Sequence, residues 1–174
     1  MYNMYIKISY RTDNAAYIPI TTFLLSQYIQ KSIDFGKKIL MNEIPMYPQK
    51  VVAVVDVRDV ARAHLEAILR DEANGKRFIL CADNPFMFDL VKVMKEKFGN
   101  EYPVKEAKEM PIIIPFFMRW WDKEMAGYYE RWGKNTVFDG SRASNILGID
   151  YIGYDKMMQD MGSALIDTGY VVKK

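Results

Sequence analysis

The stretch VVAVVDVRDVARAHLEAI, residues 51–68, decides how the rest of the chain is read. Val51, Val52, Ala53, Val54 and Val55 are apolar with no polar alternation, the pattern of a strand covered on both faces as in a parallel sheet. Asp56 follows at once and can accept hydrogen bonds from the free N–H groups of a helix start. Asp59 adds negative charge at the positive end of that helix. Val57, Val60, Ala61, His64, Leu65 and Ile68 recur at helical spacing and predict one buried stripe, with Arg58, Arg62, Glu66 and Arg70 mostly on the other side. His64 sits on that stripe and reads as a core histidine bonded to a backbone carbonyl, since no catalytic partner is visible for it. The unit is a strand-to-helix joint built on Asp-x-x-Asp.

Outward from the joint, strands and helices alternate. Residues 5–10 read as a short strand, and 19–35 as a helix with Pro19 near its start and Gly36 just past its end. A proline-punctuated loop, 42–50, leads into the joint. Beyond it, ANGK (73–76) is a turn and RFILC (77–81) a second buried strand. A helix follows near 86–98, with Phe88, Val91, Met94, Lys95 and Phe98 along one side and Gly99 at its end. YPVKEA (102–107) reads as a third short strand, and 112–132 as one aromatic helix bent near Pro115. After an extended stretch at 135–140, Ser141 caps a short helix stopped by Gly148, and a last helix over 153–169 ends at Gly169. This alternation predicts an α/β fold with some parallel pairing. The strong strands are few, so the helices look made for a larger sheet. An apolar edge along 51–55 and 77–81 predicts cover, by another polypeptide chain or by a local strand such as residues 5–10.

Composition removes several function classes. The 24 basic and 22 acidic residues are well mixed, without the basic block of a nucleic-acid binder. Cys81 is the single cysteine, which excludes an internal disulfide and predicts a reducing, intracellular compartment. One cysteine and one histidine cannot make a His/Cys metal site. The first residues, MYNMYIKISYRTDN, carry no apolar core of signal-peptide length. PIIIPFFM (111–118) is the nearest approach to a membrane span, and it falls short of the roughly 18 apolar residues required. With Arg119, Lys123 and the adjacent tryptophans, 111–121 has an interfacial character that admits a peripheral membrane contact.

The pattern resembles a known family. VVDVRDVARAHLEAI is similar to the signature VDVRDVA-A of extended short-chain dehydrogenases/reductases, in the dihydroflavonol reductase-like branch of the NAD-dependent epimerase/dehydratase family. NGKRFIL resembles the family's late sheet strand, and FDLVKVMKEKFG the helix after it. PVKEAKEMPIIIPFFMRWWDKE resembles a loop and helix of the substrate-side lobe. TVFDGSRASNILGIDY and MMQDMGSALIDTGYV resemble the near-terminal segment and the final helix. The resemblance implies an α/β fold: a partial Rossmann-type sheet plus the mainly helical substrate-side lobe of a short-chain reductase. It covers a single domain over 15–174 and leaves 1–14 unassigned.

The departures from the family carry the functional expectation. Such reductases cradle a nicotinamide dinucleotide on a glycine-rich turn, and the ten glycines here are scattered. The family's proton donor is a tyrosine four residues before a lysine. Tyr28–Lys31, Tyr47–Lys50 and Tyr102–Lys105 are each spaced by three, so the expectation is that the pair is lacking and no residue is catalytic. By position in the family, Pro19, Thr21 and Thr22 fall near the cofactor, with a plain helix start as the other reading. Phe116, Phe117, Trp120 and Trp121 fall where relatives wall the substrate pocket, with core packing as the other reading. The implied protein is a non-catalytic accessory or structural subunit of a larger assembly, needing no cofactor alone. The alternative is the C-terminal part of an NAD(P)-dependent oxidoreductase whose N-terminal half is in another chain or missing from the recorded sequence, using NAD or NADP once that complementary half is present.

Overall fold

Helices are the main regular element of the computed structural model, which describes residues 5–7 and 31–171. Strand β1 (Tyr5–Lys7) is followed by helical residues 31–40 (α1) and helix α2 (Val57–Leu69). A 3-10 turn at Asp71–Ala73 leads to β2 (Arg77–Ile79) and α3 (Met87–Phe98). Then come α4 (Ile113–Met118), α5 (Lys123–Glu130), α6 (Ser141–Leu147) and α7 (Tyr154–Asp167). The class is α/β, with few strands. β1 and β2 pair antiparallel, Tyr5 opposite Ile79 and Lys7 opposite Arg77. The edge of β2 is thus taken by a strand of this same chain.

Residues 51–55 depart from expectation. They run beside 82–87 through two isolated antiparallel bridges, Val51 to Phe86 and Val54 to Asp83, and form no regular strand. The Val52 N–H donates to the Pro85 carbonyl at 2.9 Å, and the Ala82 N–H to the Val54 carbonyl at 2.8 Å. Pro85 has no N–H to return, so the ladder breaks in its middle. Only Val51 of the five is buried; the others are half-buried, so double cover is absent. Parallel pairing among the described residues is one isolated bridge, Tyr47 to Glu109, and 102–107 is not a strand.

Two apolar clusters hold the elements. One joins Ile39 and Leu40 of α1, the inner face of α3 (Leu90, Val91, Met94, Phe98) and Met158 and Leu165 of α7. Helices α3 and α7 cross closely at Gly162, where a Cβ would strike the Phe98 ring. The second cluster joins Val60, Ala63 and Ala67 of α2 to Phe78 and Leu80 and to Ala143 and Leu147 of α6. Here Gly140 lies against the Cys81 carbonyl, leaving no room for a Cβ. Gly140 therefore holds the cap position of α6, while the Asp139 carboxylate accepts from the Ser141 N–H at 2.8 Å. Ser141, expected as the cap, is the first helical residue.

Two further expectations are corrected. The single helix over 112–132 is two helices, broken at 119–122 rather than at Pro115. Pro115 sits in the first turn of α4, where its missing N–H leaves nothing unbonded. The stripe on α2 is also turned. Its buried residues are Asp59, Val60, Ala63 and Ala67, whereas Val57, Ala61, His64, Leu65 and Ile68 are exposed. Small alanines let α2 approach β2 and α6, and the larger apolar side chains are left facing outward.

Candidate functional site

The Asp-x-x-Asp joint becomes a charged latch. Asp56, 5% exposed, caps α2: its Oδ1 accepts from the Arg58 N–H at 2.8 Å. The Arg58 guanidinium folds back to donate to both Asp56 oxygens, at 2.9 and 2.8 Å. The same guanidinium reaches Asp160 on α7 at 2.8 Å, and Lys156 holds Asp160 from one turn earlier. Hydrogen bonding from Arg58 holds the Asp56 and Asp160 carboxyls below their ordinary range. Asp59 is fully buried, and its Oδ2 accepts from the Ile152 N–H at 2.8 Å. Its Oδ1 has no hydrogen bond, and the Arg62 guanidinium stands 3.9 Å away. The motif thus fastens α2 to α7 and to the segment before it. The Asp56 and Asp160 carboxylates, held by Arg58, are poorly suited to take up a proton. Asp160 and Ile152 were not foreseen as partners, because the Asp59–Ile152 bond spans 93 residues and no local pattern marks it.

His64 is bonded to a backbone carbonyl as expected: its Nδ1–H donates to the Val60 carbonyl at 2.8 Å. It is not a core residue, because the ring lies on the exposed side of α2. Tyr47 is buried, which pushes its hydroxyl up to about 12 and makes it a poor proton donor. Burial also raises the Cys81 thiol, whose Sγ donates to the Asp83 carbonyl at 3.2 Å. One pair with the family's spacing does exist, Tyr170 and Lys174, against the expectation that none does. Tyr170 lies in the bend beyond α7 and is 61% exposed, and Lys174 falls outside the described residues. The family carries its pair on a helix. Pro19, Thr21 and Thr22 also fall outside the described residues. Among the described residues no group of three His, Cys, Asp or Glu stands close enough to hold a metal ion.

The aromatic cluster lies on the α4–α5 hairpin. Phe117, Trp120 and Trp121 are 59%, 72% and 85% exposed, which removes core packing as their explanation. Phe116 meets Phe117 edge to face at 5.2 Å and Tyr129 of α5 at 5.5 Å. Over these rings lies the Arg119 guanidinium, 4.6 Å from Phe116, 4.8 Å from Tyr129 and 5.4 Å from Trp120. An open cleft of about 440 Å³ is lined by Arg119, Trp120, Ala126, Tyr129 and Glu130. Of the four expected wall residues Trp120 lines it and Phe116 backs Arg119. Arg119, Tyr129 and Glu130 were missed, although Arg119 stands between the aromatic pairs in the sequence.

This fold is the fold of part of a short-chain reductase. A nucleoside-diphosphate-sugar epimerase from Pseudomonas aeruginosa superposes with a TM-score of 0.59 at 23% identity, over 79% of this chain and 42% of that one. Yeast methylglyoxal/isovaleraldehyde reductase Gre2, solved with NADPH, superposes with a TM-score of 0.53 at 18% identity, over 82% of this chain and 41% of that one. In sequence, 107 residues are 35% identical to cinnamoyl-CoA reductase 1 of Oryza sativa subsp. japonica, covering 59% of this chain and 31% of that protein. Sequence and fold together mark the chain as similar to part of an extended short-chain dehydrogenase/reductase. It spans less than half the length of each of these proteins. No family model matches it.

Proposed function

We propose that this chain is a reductase-family lobe serving as a non-catalytic accessory subunit. It docks through the outward face of α2 onto a second polypeptide that supplies a nucleotide-binding half. The observation that carries this reading is the exposure of Val57 (66%), Leu65 (56%), Ile68 (62%) and Leu69 (68%) on the helix of the family signature. An apolar stripe at helical spacing ordinarily faces a core. A patch of this kind on a soluble domain marks an interaction surface. The length of the relatives points to the occupant: each has more than half its chain beyond the part similar to this one. NAD or NADP would then be held by the partner. A second reading is favoured by the 35% identity to a reductase: the chain is the C-terminal part of an NAD(P)-dependent oxidoreductase whose N-terminal half is encoded upstream in the same transcript.

The mass of the particle isolated from its own cells tests the proposal. A complex larger than the chain, dissociated by Leu65→Asp with Ile68→Asp, is expected. A stable monomer at micromolar concentration, unchanged by those substitutions, refutes it. An in-frame glycine-rich turn and Tyr-x-x-x-Lys in the natural transcript upstream of Met1 would decide for the second reading.

A further inference from the structure

We propose that the α4–α5 hairpin is a membrane-surface contact, laying the outward face of α4 into the headgroup boundary of an anionic bilayer. Ile113, Phe116, Phe117, Trp120 and Trp121 follow the i, i+3, i+4, i+7, i+8 spacing of one helical face. Past α4 the chain closes in a turn, the Trp121 and Asp122 N–H groups both donating to the Met118 carbonyl at 3.0 and 2.9 Å. Trp120 and Trp121 lie in this turn, directly after the helical face of α4. It points outward: all five side chains are exposed, from 37% for Phe116 to 85% for Trp121, while Pro115 on the opposite side is buried.

The composition favours a lipid surface over a protein groove. Two adjacent tryptophans with phenylalanine and isoleucine suit the water–hydrocarbon boundary, where a large ring sits with its polar edge wet. Arg119, Lys123, Arg131 and Lys134 lie on the hairpin or just beyond it, and Lys123, Arg131 and Lys134 are exposed. Arg119 keeps its guanidinium over the rings of Phe116, Trp120 and Tyr129, so that it covers apolar surface beside the face. Asp122, Glu124 and Glu130 offset part of that charge, so most of the attraction comes from apolar burial. None of the described helices is long and apolar enough to cross a membrane, so α4 would lie in the plane of the surface. This surface is separate from α2 and needs no nucleotide-binding partner.

Trp120, Trp121 and Trp132 report on the hairpin without a label, since they are the three tryptophans of the chain. The full chain is titrated with vesicles of phosphatidylcholine containing anionic phosphatidylserine, following tryptophan emission and co-sedimentation. A blue shift with sedimentation is expected, weakened on pure phosphatidylcholine. Trp120→Ser with Trp121→Ser should lower the partition coefficient by roughly tenfold per ring, with an unchanged circular dichroism spectrum. Absence of any shift or sedimentation at millimolar lipid overturns the proposal. So does self-association of the chain that the same double substitution abolishes, because the face would then belong to a second copy.

Discussion

Replacing Asp56 by alanine should unfasten the start of α2. The carboxylate is 5% exposed and accepts three hydrogen bonds, one from the Arg58 backbone and two from its guanidinium. Losing an N-cap costs about 1 kcal/mol, within a range of roughly 0.5 to 2. Two charge-assisted bonds go with it, discounted because the Arg58 side chain is 47% exposed and keeps its contact with Asp160. Together the loss is about 2 kcal/mol. With a urea slope of roughly 1–3 kcal/mol per molar, the unfolding midpoint should fall by about 1 M. The pH dependence has a definite sign. Arg58 holds the Asp56 carboxyl below its ordinary 3.8. The associated stability is therefore present above that value and lost as pH falls through the lowered one. Asp56→Ala should flatten this acid limb, and Asp160→Ala should shift the midpoint less, since its ion pair lies in water. An unchanged midpoint for Asp56→Ala, accompanied by altered ligand or partner binding, would refute the structural role.

Two further outcomes follow from buried groups. Asp59→Ala removes the acceptor of the Ile152 N–H and should cost about 1–3 kcal/mol. Amide exchange at Ile152 should accelerate well before global unfolding, and unchanged protection there would contradict the latch. Tyr47, pushed up to about 12 by burial, should lose stability for the fold between its ordinary 10.0 and that value, as the unfolded hydroxyl ionises first. Burial also raises Tyr151 and Tyr154, so ultraviolet titration should show several late tyrosines, of which Tyr47→Phe removes the latest; an unchanged latest phase would assign it to another residue.

The joint was legible in the sequence because capping is local. Asp56 needs only the N–H groups beside it, and the run of helical spacing after it marks α2. Gly148 and Gly169 likewise mark helix ends. Which face of α2 is buried was not legible, since hydrophobicity alone points to Val57, Leu65 and Ile68. The packing instead selects Ala63 and Ala67, whose small side chains permit close approach to the second apolar cluster. Residues 51–55 misled for a related reason: β-branched valines suit a buried strand, but the neighbouring segment contains Pro85 and cannot complete a ladder. The aromatic cluster was visible as a cluster, yet its partner Tyr129 and the break at 119–122 depend on how α5 folds back.

On the proposed function, these 174 residues form a reductase-type lobe that does not by itself hold a nicotinamide cofactor. Titrating the isolated chain with NADH and NADPH, and following energy transfer from its three tryptophans, tests it most directly. No saturable signal is expected up to about 1 mM, a binding free energy weaker than about −4 kcal/mol. A micromolar dissociation constant, about −8 kcal/mol, would contradict it.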